Sequence, residues 1–262
     1  MRAKVGFHDF LNSKPILYAM RQGLVKTPFE LVIDTPANLA TMFHEKRLDI
    51  ALIPSVEYGR SADAVIIPTL CIASVGKVES VLLFTEGDIE KMETVCVDPK
   101  SRTSVTALKI LLKEFYQKEP EIIVGDGDPE TMLKTADGAL LIGDLAYDID
   151  KNRYVAHDLG EMWYRYSGLP FVHALLCCHK GERWDDAIES IAQAKDIGLK
   201  NRELIASHEG GSSARTGKLL DYLSERIHYD FGEEEKTGLI KFLTAAHEMG
   251  LVKRTYLDLY KD

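Results

Sequence analysis

The residues with the most evident chemical capacity are hydroxyls and amides set in short turns between apolar runs. Ser101-Arg102-Thr103-Ser104 follows Val95-Cys96-Val97 and opens a periodic stretch through Ala107, Leu108, Leu111, Leu112 and Phe115. A hydroxyl-rich turn at a helix start is a ready anion site, because free N–H groups and the helix dipole both favour negative charge. Arg102 could add a bidentate clamp for a carboxylate. The same residues would serve equally well as an ordinary helix cap, with Ser101 or Thr103 capping and Arg102 in solvent. Three further polar turns follow apolar runs: Leu11-Asn12-Ser13-Lys14, Pro54-Ser55-Val56-Glu57 and Gly143-Asp144. Their recurrence favours ligand binding, since ligands of open α/β sheets lie beyond the carboxyl ends of the strands.

Other constellations carry less. Cys177 and Cys178 lie in an apolar run and read as core, and the four cysteines show no metal-binding spacing. Asp126-Gly127-Asp128 lacks the downstream glutamate of a calcium loop and reads as a turn. Gly210-Gly211-Ser212-Ser213 has no preceding strand and reads as a helix break rather than a phosphate loop. His8 and His173 fall near the expected cleft and could titrate usefully, although each also fits a structural histidine.

These turns need elements to hold them. Strands are expected at Lys4–Phe7, Leu31–Ile33 and Leu48–Ile53, alternating with helices over Pro15–Gln22 and Pro36–Arg47. A β-rich stretch follows at Ala64–Ile67, Thr69–Ala73 and Ser80–Phe84, and a second βα series runs from Thr94 to Ile142. Phe171–Cys177 reads as a return strand, and from Asp185 the pattern is helical in three segments broken near Gly210-Gly211 and Phe231-Gly232. The expectation is an α/β protein of two lobes joined by a double crossing. Residues 1–86, completed by 172–262, would form one lobe and 87–171 the other, with the C-terminal helices packed on the first.

Composition limits the function. At 262 residues, 45% hydrophobic and 28% charged, the chain suits a globular protein large enough for two cores. A net charge of −9 argues against nucleic acid, whereas a few local donors suffice for a small anion. No apolar run reaches the length of a membrane span, and no apolar segment follows the basic N-terminal residues as in a signal peptide. A cytoplasmic protein is expected.

Several blocks, taken in order, carry a family likeness. They are Phe10-Leu11-Asn12-Ser13-Lys14-Pro15, Leu52-Ile53-Pro54-Ser55-Val56-Glu57-Tyr58, Val78-Glu79-Ser80-Val81, Asp98-Pro99-Lys100-Ser101-Arg102-Thr103-Ser104, Leu140-Leu141-Ile142-Gly143-Asp144 and Asp158-Leu159-Gly160. Together they resemble the chorismate dehydratase family of menaquinone biosynthesis. The resemblance implies a type II periplasmic-binding-protein-like fold with a ligand cleft between two lobes joined by two strands. It also implies loss of water from chorismate to give 3-(1-carboxyvinyloxy)benzoate, the first step of the futalosine route, without metal or cofactor. In that reading Asn12 and Ser80 are catalytic contacts. Ser13, Ser55, Ser101, Arg102, Thr103 and Ser104 bind the substrate, with Gly143 and Asp144 near the cleft floor. His8-Asp9-Phe10 and His173 depart from the family's more apolar or aromatic pattern. A sister naphthoate synthase and a non-catalytic carboxylate-binding protein are the competing readings.

The chemistry suits such a cleft. Chorismate is a dianion whose dehydration yields an aromatic ring, so orientation and charge stabilisation can take the place of a strong protein base. The substrate's own enolpyruvyl carboxylate could accept the proton, which accords with the lack of an evident acid–base pair.

Overall fold

The computed structural model describes residues 2–149 and 154–261 and contains two five-stranded sheets. In the first, β1 (Ala3–Phe7) lies parallel to β2 (Phe29–Ile33) and β3 (Ile50–Pro54). β10 (Phe171–His179) inserts antiparallel between β3 and β4 (Ala64–Ser74), giving the order β2-β1-β3-β10-β4. The second sheet comprises β5 (Val81–Thr85), β6 (Thr94–Val97), β7 (Glu121–Val124), β8 (Gly138–Ile142) and β9 (Val155–Asp158). Its order is β7-β6-β8-β5-β9.

β5 pairs with β8 and β9, so the first crossing lies between Ser74 and Val81 rather than near residue 86. The return crossing runs from Asp158 to Phe171. The expected strands at Ala64–Ile67 and Thr69–Ala73 are one strand, β4. Pro68 is tolerated because β4 is an edge strand whose partners shift register around it.

Short helices follow the strands: α1 (Lys14–Arg21), α2 (Pro36–His44), α3 (Ser55–Arg60), α4 (Arg102–Tyr116), α5 (Pro129–Leu133) and α6 (Gly143–Asp148). α7 (Leu159–Ser167) lies on the return crossing. The helical C-terminal region has one break more than expected, at Asn201, separating α8 (Asp185–Lys200) from α9 (Arg202–Gly210). α10 (Ser213–Asp221) runs into a π turn, Tyr222–Arg226, and α11 (Glu233–Glu248) follows. α8 packs along α1 so closely that a Cβ at Gly198 would overlap the Pro15 carbonyl. Trp163 meets Phe171 and Phe242 edge-on or tilted at 5.3–5.9 Å, joining α7, β10 and α11 in one aromatic cluster.

Candidate functional site

The carboxyl ends of β1, β3 and β8, the start of α4, the first crossing and the first part of β10 converge on one cleft with about 550 Å³ of empty space. Asn12 enters it from a single helical turn, Leu11–Ser13, after β1, and its Oδ1 is buried with no partner. Ser80 enters from the first crossing and its Oγ lies 2.9 Å from the Tyr222 hydroxyl. Gly143 donates its N–H to the Ser80 carbonyl at 2.8 Å. Its φ of +69° favours glycine there, and a Cβ would also crowd the Phe10 ring at 3.1 Å. Ser101 also lines the cleft; its Oγ caps nothing and has no partner. The ordinary-cap reading of this turn therefore fails for Ser101.

Thr103 and Arg102 bind protein instead. The Thr103 Oγ1 accepts from the Val56 N–H at 3.3 Å and lies 3.4 Å from the Ser55 Oγ, tying α4 to α3 across the cleft. The Arg102 guanidinium donates to the Thr41 hydroxyl at 2.8 Å and stands 3.4 Å from Glu57. It borders the cleft, yet its head is a clasp between the two halves rather than an open clamp or a solvated chain. Glu57 is buried beside His44 (2.8 Å) and Arg60 (2.7 Å) as well. Burial alone would raise its pKa, but the His44 hydrogen bond and the Arg60 and Arg102 charges hold it below the usual carboxylate range.

Three expected ligand residues face away from the cleft. Ser55 donates to the Val172 carbonyl at 2.6 Å and is fully buried. Ser13 Oγ turns inward to His8 Nδ1 at 3.1 Å. Asp144 accepts the Leu11 N–H at 2.8 Å, so it fixes the turn that carries Asn12. Burial raises the Asp144 carboxyl, with the Leu11 N–H opposing. Thr103, Ser104, Gly143, Asn12 and Ser80 remain in the cleft wall with Ser101.

Both histidines line the cleft and both are uncharged. Burial pushes His8 down to about 4, against the opposing charge of Asp9, and His173 down to about 3. Two contributors were not legible beforehand. Lys100 adds a cation to the lining. Tyr222 reaches Ser80 from the π turn; burial raises its pKa, with Ser80 and Asn12 opposing.

Asp158 holds the first crossing in place. Its carboxylate caps α7 through the Gly160 and Glu161 N–H groups and accepts from Val78 and Glu79, two residues and one residue before Ser80. A Cβ at Gly160 would lie 2.6 Å from the Gly76 carbonyl, which explains glycine in that motif. The other motifs are structural: Asp128 caps α5, Gly211 ends α9 at φ +72°, and all four cysteines are free and buried. Among the described residues no cluster of three acidic, histidine or cysteine side chains could hold a metal, and no helix is long and apolar enough to cross a membrane.

Known proteins share this architecture. A family model described as menaquinone biosynthesis matches residues 3–248. Chorismate dehydratase of Thermus thermophilus is 26% identical over 261 residues, covering 92% of this chain and 94% of its own. Chorismate dehydratase of Campylobacter jejuni is 26% identical over 251 residues, covering 93% and 97%. A crystal structure of an Archaeoglobus fulgidus protein superposes with a TM-score of 0.78 at 17% identity, covering 96% of this chain and 98% of that one. The periplasmic aliphatic sulphonate binding protein of Escherichia coli superposes with a TM-score of 0.66 at 12% identity, over 97% and 94%. These likenesses show the periplasmic-binding-protein fold expected from the sequence.

Proposed function

Because the chain belongs to the menaquinone biosynthesis family, we propose that its cleft binds chorismate and eliminates water from it. The product would be 3-(1-carboxyvinyloxy)benzoate, which makes the protein a hydro-lyase of the futalosine route, working in the cytoplasm. The observation that carries the reading is the pair of buried, unpartnered polar atoms, Asn12 Oδ1 and Ser101 Oγ, in one cleft that Lys100 also lines. Buried polar groups are normally satisfied, so such a pair marks the place of ligand atoms.

In this mechanism the cleft orients the dianion and the substrate supplies the base. Chorismate loses the ring proton next to the enol ether to its own enolpyruvyl carboxylate. The C–H electron pair enters the ring, the C–O bond of the ring hydroxyl breaks, and hydroxide with that proton leaves as water. Asn12 and Ser80 hold the reacting ring, and the turn from Ser101 to Ser104 receives a carboxylate. The two cleft imidazoles fit a supporting role: held at about 4 and about 3, they are weak bases at neutral pH.

Incubation with chorismate, followed by absorbance and mass of the product, tests the assignment. Asn12→Ala and Ser80→Ala should each lower kcat by about 10²-fold or more, the usual effect of losing a transition-state hydrogen bond. Binding of chorismate without turnover would refute the enzymatic reading. Loss of turnover in a His8 variant with binding intact would refute the substrate-as-base mechanism.

A further inference from the structure

His173 sits at an irregularity in the sheet. Along the β10–β4 ladder Val172 pairs with Ala73 and Ala174 with Ile72, so residue 173 is the extra residue of a β-bulge. Bulges re-aim a side chain, and they recur next to active sites for that reason. The neighbouring Val172 carbonyl is taken by the Ser55 hydroxyl at 2.6 Å, which stabilises the bulge from behind. The imidazole is then fixed from two sides. Nε2 lies 2.9 Å from the Ser74 Oγ, and the ring stands edge-on to Phe171 at 84° and 4.7 Å. Its other nitrogen, Nδ1, is buried without a partner, in a residue that lines the cleft.

We propose that His173 is a substrate-binding residue: with Ser74 donating to Nε2, the ring presents an uncharged Nδ1–H to an oxygen of the bound carboxylic acid. The ligand's identity rests on the dehydratase reading; the placement of the donor does not. A carboxylate or ether oxygen only accepts hydrogen bonds, so the tautomer carrying the proton on Nδ1 is the one that matches it. Burial keeps the imidazole neutral, so the contact adds direction without adding charge. The contact forms in the ground state and the transition state alike, so its loss appears in KM and Kd rather than in kcat.

The test compares His173→Phe, His173→Asn and Ser74→Ala with wild type, reading chorismate turnover by product mass and chorismate binding by calorimetry. His173→Phe keeps a planar ring and removes the donor; KM and Kd should rise about tenfold with kcat within about threefold. His173→Asn, whose amide N–H can occupy the Nδ1 position, should recover most of that loss. Ser74→Ala, which frees the tautomer, should fall between. Wild-type KM and Kd in His173→Phe would overturn the assignment while leaving the dehydratase reading intact, and so would a fall in kcat with Kd unchanged. A wild-type protein that binds chorismate without converting it refutes the dehydratase reading, while the ratio of dissociation constants still decides His173. A wild-type protein that does not bind chorismate overturns both.

Discussion

Acidification should weaken this protein through two particular side chains. His8 and His173 are neutral in the fold, with pKa values pushed by burial from 6.5 to about 4 and about 3. A base whose folded pKa lies below its unfolded value contributes its stability in full above the unfolded pKa. That contribution is lost as pH falls from 6.5 towards the folded value. At about pH 5 the unfolded imidazole gains a proton that the folded one refuses, so each histidine withdraws about 2 kcal/mol relative to about pH 7.5. Together that is about 4 kcal/mol, a large part of the roughly 5–15 kcal/mol that holds a domain folded. Asp144 and Asp158, whose carboxyls burial raises, contribute with the opposite sign, so the comparison must be made between variants. Urea midpoints would be measured at both pH values for wild type, His8→Phe and His173→Phe. Each variant should lose about 2 kcal/mol less than wild type over that interval. A variant that loses as much as wild type would show that its imidazole is protonated in the fold, and the assignment of two neutral cleft histidines would fall.

Two further outcomes follow from contacts already described. Tyr222→Phe removes the hydroxyl paired with Ser80; kcat should fall about tenfold with KM little changed, at a stability loss of about 1 kcal/mol. A roughly tenfold slower product formation with a melting temperature only a few degrees lower is the signature to look for, and an unchanged kcat would sink the positioning role. Asp158→Asn turns an amide N–H₂ towards N–H groups that now meet a carboxylate, leaving about two donors unsatisfied at roughly 1–3 kcal/mol each. Its melting temperature should drop by several degrees, and turnover should fall further than folding alone explains, because the Ser80 crossing is released. A melting curve that matches wild type would contradict the carboxylate's structural role.

Much of the cleft could be read from residue order. Strand-terminal turns are where helix N-termini and backbone amides collect, so Asn12, Ser101 and Gly143 were locatable from position alone, whereas Ser80, which precedes a strand, was singled out only by the family likeness. Position does not say which way a side chain turns. Ser13 and Ser55 point inward because a histidine ring and a strand carbonyl, five and 117 residues away, need partners. Arg102 is drawn to Glu57 by a charge that only the folded chain brings near. Tyr222 lies 142 residues from Ser80, and a π turn has no periodic signature. Strand β9 and the helix after it escaped for a simpler reason: Val155-Ala156-His157-Asp158 is short and half-polar, and only its pairing with β5 makes it a strand.

The insertion of β10 between β3 and β4 sets an order of events during synthesis. Among the strands β4 pairs only with β10, so on a nascent chain it has no ladder partner until nearly a hundred later residues have emerged. The second sheet has no such gap, since all five of its strands come from the continuous stretch between Val81 and Asp158. It can therefore close first and wait, while the earlier-made half stays open along the β3 edge. Segments made in sequence tend to fold as units in that sequence. Here the lobe begun first is the one finished last, and the cleft takes shape as β10 slots home.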